Sequence, residues 1–196
     1  MRSDDLILVI DLQNAYLPGQ PWGCDSIGRS IGNILALLRA AEARRDGPEL
    51  CFTRFVSDPG ARGVWAEYNR RNRDINENPW MNALVEELAP YAARHPLYTK
   101  SVYSSLRVPA LRRAARRAGR LVVTGVMCEC CVLSSCLDAI DLGCHVLYLP
   151  DACSGDDAVM EERVRNVLKG LSPLHVTVLD TAAYLQEEDV SGDGSR

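Results

Sequence analysis

Long apolar runs are missing from this sequence. The run Leu6–Ile10 is five residues, against about 20 for a membrane-crossing helix. Asp4 and Asp5 precede it, so the opening residues lack the basic flank and longer apolar core of an export signal, and none is expected. Charge of one sign is scarce too: 22 Lys and Arg face 26 Asp and Glu, a formal charge of −4. That weak acidity gives no basis for wrapping nucleic acid or lying on an anionic membrane, and neither partner is expected. Histidine is sparse, with three in all. Cys128-Glu-Cys130-Cys131 lacks the C-x-x-C spacing of a zinc knuckle, and no second pair completes four ligands. Neither a metal nor another cofactor is expected. Internal repeats, low-complexity blocks and interdomain linkers are absent as well.

What remains is a globular balance. The chain has 196 residues, 47% of them hydrophobic and 24% charged. A chain of that length buries roughly two thirds of its unfolded surface and needs no staple to fold. One domain is expected over residues 1–188, with a mobile tail over 189–196, where apolar content is too low to pack. Eight cysteines, six of them between Cys128 and Cys153, read as thiols in a reducing, cytoplasmic setting, most of them small core residues.

Short apolar runs alternate with helical stretches. Leu6–Ile10, Leu50–Phe55, Leu97–Lys100, Leu121–Gly125, His145–Leu149 and His175–Leu179 have strand length and composition. Helices are predicted from Ile27 to about Arg45 behind Ser26 as cap, and over 81–92, Val108–Ala118, Glu129–Leu142, 157–169 and Thr181–Glu188. The Arg107–Arg120 stretch, rich in arginine but without interleaved aromatics, reads as a solvated helix face and not as a nucleic-acid patch. Strands alternating with helices predict a six-stranded parallel sheet in a three-layer α/β/α sandwich, Rossmann-like.

In such sheets ligands bind outside the carboxyl ends of the strands. The residues leaving those ends include Asp11, Lys100 and Cys131. A carboxylate at a strand end can cap a turn, a lysine can be a surface charge, and a cysteine can be core. Together the three can supply a base, a positive field and a thiol nucleophile. Cys131 is placed in the first turn of a helix, where unpaired amides favour a thiolate. His95, His145 and His175 fall at strand starts or in a turn, which disfavours a Cys-His or Ser-His-Asp pair.

At these residues the chain resembles the isochorismatase-like cysteine hydrolases. The matching motifs are Asp11-Leu-Gln13 with Tyr16, Lys100-Ser-Val-Tyr103-Ser104, and Val123-Thr-Gly125-Val-Met127-Cys-Glu-Cys-Cys131-Val132, followed by Asp138-Ala139, Gly143 and Asp151-Ala152. The resemblance implies an Asp11-Lys100-Cys131 catalytic triad, a cis peptide between Val126 and Met127, and an oxyanion hole from the backbone amides of Met127 and Cys131. Two departures stand out. Cys128 and Cys130 replace the family's usual Thr and apolar residue. The Asp-x-His-x-x-His metal site of the nicotinamidase branch has no counterpart in Thr53-Arg-Phe-Val-Ser-Asp58. A metal-independent cysteine amidohydrolase for a small molecule is the expectation, with an enol-ether hydrolase or a thiol redox protein as alternatives. Arg54, as a carboxylate clamp, and Trp65, Trp22 and Tyr103, as walls, are candidates for substrate binding. The family's habit of assembly adds a homo-oligomer, dimer or tetramer, as an expected partner.

Overall fold

The computed structural model describes residues 1–187. The tail expected over 189–196 lies outside the described residues. The chain runs β1 (Asp5–Ile10), α1 (Ile27–Glu42), β2 (Glu49–Phe55), α2 (Val64–Arg71), α3 (Arg73–Asn76), α4 (Pro79–Asn82), α5 (Ala89–Ala92), β3 (Leu97–Lys100) and α6 (Pro109–Arg117). It continues through β4 (Arg120–Val126), α7 (Leu133–Asp141), β5 (His145–Ser154), α8 (Ala158–Lys169), β6 (Val176–Val178) and α9 (Thr181–Gln186). The six strands form one sheet in the order β3-β2-β1-β4-β5-β6, and every pair is parallel.

Strand alternation sends successive side chains to opposite faces. Ile7, Val9, Phe52, Val122 and Leu147 meet α1 and Tyr184 of α9, whereas Leu6, Leu8, Ile10, Val123 and Tyr148 meet α6, α7 and α8. On α1, Ile27, Ile31, Ile34, Leu37, Leu38 and Ala41 recur at helical spacing and are buried. Burying each of the large ones contributes about 1.5–3 kcal/mol. Both faces being covered explains why the strands are continuous apolar runs. From β1 the chain builds outward to β2 and β3, then returns to place β4 on β1's other side. The crevice at their carboxyl ends is the switch point where such sheets bind ligands.

Three sequence expectations change. The single helix over 81–92 is instead a string of short turns, α4 and α5 among them, each with a proline in its first turn. Proline fits there but restricts the residue before it, so Pro79 and Pro90 divide the segment. The helix α2 was not foreseen, because none of its residues is fully buried and only Trp65 and Tyr68 turn inward, onto Phe55. Ser26 does not cap α1; its hydroxyl bonds Glu161 instead. No helix among the described residues is long and apolar enough to cross a membrane.

Candidate active site

Three strand ends converge. Asp11 leaves β1 with a φ of 51°, a left-handed conformation uncommon for residues other than glycine, though Asp tolerates it better than most. Its N–H donates to the Thr53 carbonyl at 3.1 Å, and its Oδ1 accepts from the Thr53 hydroxyl at 2.8 Å. Lys100 ends β3 opposite Phe55 of β2. Lys100 Nζ lies 2.5 Å from Asp11 Oδ2 and donates to Cys131 Sγ at 3.2 Å and to the Val102 carbonyl at 3.0 Å. All three of its protons have a partner.

The third end is β4. Gly125 has a φ of 111°, and a Cβ there would strike the Ile10 carbonyl and N. Only glycine lets β4 close on β1 at the crevice. The Val126–Met127 peptide is cis, as expected. A single π-helical turn, Cys128–Val132, then leads into α7 and carries Cys131 beneath the crevice. The Met127 carbonyl accepts from the N–H groups of Cys130 and Val132, both at 3.1 Å. The predicted helix over Glu129–Leu142 is therefore present, but it opens as a wider turn.

Burial and the adjacent Asp11 carboxylate push the Cys131 thiol up, with Lys100 acting against them. The expected thiolate-favouring effect of the helix start is overridden by desolvation. Burial works against the Lys100 charge, but Asp11 and Cys131 outweigh it and hold the ammonium above its ordinary value. The resting arrangement is an ion pair beside a neutral thiol. Asp11 is close enough to hydrogen-bond that thiol.

Above the thiol opens a cavity of about 190 Å³ lined by Tyr16, Trp22, Phe55, Tyr68, Tyr103, Met127, Cys130 and Cys131. Its wall carries no charged side chain. Trp65 stands behind it, packed on Tyr103 with ring centroids 4.9 Å apart and on Tyr68 at 5.3 Å. The Trp22 indole N–H is committed to Asn72 Oδ1 at 3.1 Å.

The expected carboxylate clamp is corrected. Arg54 alternates away from Thr53 and Phe55 on β2 and bonds Thr99 Oγ1 at 3.0 Å on the exposed side. Of the neighbouring thiols, Cys128 is buried against Glu129 Oε2 at 3.3 Å, and Cys130 lines the cavity. All eight cysteines are free. Sequence reasoning passed over Thr53, Phe55 and Tyr68. Alternation along β2 signalled the first two, while Tyr68 sits on the unforeseen α2.

The stretch after β2 does not fit a metal. Thr53 and Arg54 are spent on Asp11 and Thr99, and Asp58 Oδ1 accepts the Gly60 N–H. No group of three or more His, Cys, Asp or Glu among the described residues is placed to hold an ion.

A doubly wound parallel sheet with reactive side chains at its switch point is the setting of the isochorismatase-like hydrolases. The isochorismatase domain family model matches residues 5–183, and the chain belongs to that family. Among solved structures, a cysteine hydrolase from Pseudomonas syringae pv. phaseolicola is similar with a TM-score of 0.79 and 19% identity, over 94% of this chain and 92% of that one. An isochorismatase-like hydrolase from Alkaliphilus metalliredigens gives 0.72 and 20%, over 93% and 97%. The pyrazinamidase of Pyrococcus horikoshii, solved with zinc, gives 0.67 and 20%, over 90% and 99%. At these identities the likeness is one of fold. Comparison with curated proteins gives no match.

Proposed function

We propose that this hydrolase is a cysteine amidohydrolase acting on a small, uncharged amide without a metal ion. The observation that carries the reading is Lys100 Nζ, buried between Asp11 Oδ2 at 2.5 Å and Cys131 Sγ at 3.2 Å. A neutral thiol needs a base, and the adjacent carboxylate is that base. Asp11 takes the Sγ proton as the thiolate adds to the amide carbon, forming the C–S bond. Backbone N–H groups of Met127 and Cys131 hold the oxyanion, a contribution of roughly 3–4 kcal/mol per donor. The C–N bond then breaks, and Asp11 returns the proton to the leaving nitrogen. Water attacks the thioester, giving its proton to Asp11; the C–S bond breaks, and Asp11 passes that proton to Sγ to restore the thiol. Lys100 holds Asp11 in place and balances the negative charge throughout.

The cavity supports the substrate class. About 190 Å³ walled by aromatic rings suits a compact, flat molecule, and among the described residues no charged side chain lines it. The pyrazinamidase neighbour, an amidase by name, fits the amide part of this reading, while its zinc sets it apart from the metal-free part. Eight free thiols fit a reducing compartment, and assembly into a homo-oligomer is part of the proposal.

Ammonia release from a panel of small amides, neutral and carboxylate-bearing, is the test. Neutral amides are expected to turn over, and Cys131→Ala and Cys131→Ser to lose the activity. Amide turnover retained in either variant overturns the thioester route, whereas an enol ether cleaved by the Cys131 variants with no amide turned over by the parent favours enol-ether hydrolysis with Asp11 as acid. Reversible oxidation of Cys130 and Cys131 with no amide cleaved overturns the hydrolase assignment altogether.

A further inference from the structure

We propose that Thr53 is a positioning residue for the proton transfer between Cys131 and Asp11, an inference that rests on the reading above. Thr53 is fully buried on β2 and grips Asp11 twice. Its carbonyl accepts the Asp11 N–H at 3.1 Å, and its hydroxyl donates to Oδ1 at 2.8 Å. The first bond steadies a residue whose φ of 51° lies in the left-handed region. The second divides the labour of the two carboxylate oxygens. Oδ1 is occupied by Thr53, whereas Oδ2 faces Lys100. A donor on Oδ1 fixes the rotation of the carboxylate, so that Oδ2 is the oxygen presented to the thiol.

Thr53→Val keeps the shape and removes the hydroxyl; Thr53→Ser keeps the hydroxyl. Two readouts apply: steady-state kinetics on an amide that releases ammonia, and the rate of Cys131 alkylation by iodoacetamide, resolved by mass spectrometry. Thr53→Val is expected to lower kcat about tenfold or more, the loss of one hydrogen bond to a charged group, with KM within about twofold. Cys131 alkylation slows together with kcat, because the carboxylate that takes its proton is no longer held in one rotation. Thr53→Ser stays close to the parent protein.

The titratable groups facing Asp11 are Lys100 from β3, Cys131 from the π-helical turn, and Tyr16 and Tyr68 across the cavity. The substitution touches none of them, so slowed alkylation reports on Asp11. Unchanged alkylation with unchanged kcat overturns the proposal, as does Thr53→Ser being as slow as Thr53→Val, which would assign the residue to packing. Slowed alkylation in a protein that hydrolyses no amide upholds Thr53 and sinks the amidase reading instead. Amide hydrolysis with both rates unchanged does the reverse.

Discussion

Replacing Lys100 by Met tests the ion pair at the centre of the site. The Lys100 and Asp11 side chains are 1% and 0% exposed, with Nζ and Oδ2 2.5 Å apart. At an effective dielectric of about 20, unit charges at that spacing attract by roughly 6–7 kcal/mol. Withdrawing both ions from water takes back several kcal/mol. Removing Lys100 alone leaves the buried Asp11 carboxylate without its compensating charge. The expected loss of stability is about 3–5 kcal/mol. With a urea m value of about 2 kcal/mol/M, the unfolding midpoint falls by about 1.5–2.5 M. Asp11→Asn alone strands the ammonium in the same way. The double variant, uncharged at both positions, is expected to be more stable than either single variant, with a coupling of at least about 2 kcal/mol in the double-mutant cycle. Urea unfolding of the four proteins, followed by tryptophan fluorescence, measures all of this. A loss below about 1 kcal/mol in Lys100→Met, or a double variant showing the sum of the single losses, refutes the argument.

Four other outcomes follow from the same structure. Tyr103, 37% exposed at the cavity wall, is expected to raise KM about tenfold when changed to Ala while thermal stability barely moves; Arg54→Ala leaves kcat and KM within about twofold, and a large KM effect there would return Arg54 to the substrate. Gly125→Ala drives a Cβ onto the Ile10 backbone at a φ closed to alanine and costs about 3 kcal/mol or more by chemical denaturation, so a variant as stable as the parent contradicts the close strand approach. Asp5 is buried at the opposite edge of the sheet, bonded by Arg120 Nε at 2.7 Å, Arg120 Nη2 at 2.8 Å and the Tyr184 hydroxyl at 2.8 Å. Burial opposes its ionisation, yet Arg120 and the hydrogen bonds from Arg2 and Tyr184 hold the carboxyl below its ordinary value. The stability it contributes is full at neutral pH and is lost as pH falls below about 4. Thermal melts between about pH 3 and 6 should show Asp5→Asn less acid-sensitive than the parent, and an identical slope would discount the cluster.

The parallel sheet was legible because period and composition are local properties. Leu6–Ile10 and the β4 run show two-sided burial without reference to the rest of the chain. Asp11, Lys100 and Cys131 were legible as a set because each follows a strand, and strand ends in such a sheet point to one edge. The segment between β2 and β3 resisted reading. Its turns are short and proline-divided, and α2 buries none of its residues. Its aromatic side chains, Trp65 and Tyr68, pack on Phe55 and Tyr103 from other elements, a partnership with no local pattern to betray it.

The amino-acid sequence alone determined the α/β architecture, the family to which the chain belongs, and which carboxylate, ammonium and thiol lie at the strand ends. Tertiary structure alone decided how those groups behave. Burial and the neighbouring Asp11 push the Cys131 thiol up against the pull of Lys100, so that it needs a base. Alternation on β2 removed Arg54 from the cavity and brought Thr53 to Asp11. Periodicity is written into neighbouring residues, but the charge state and aim of a side chain depend on what the whole fold packs around it.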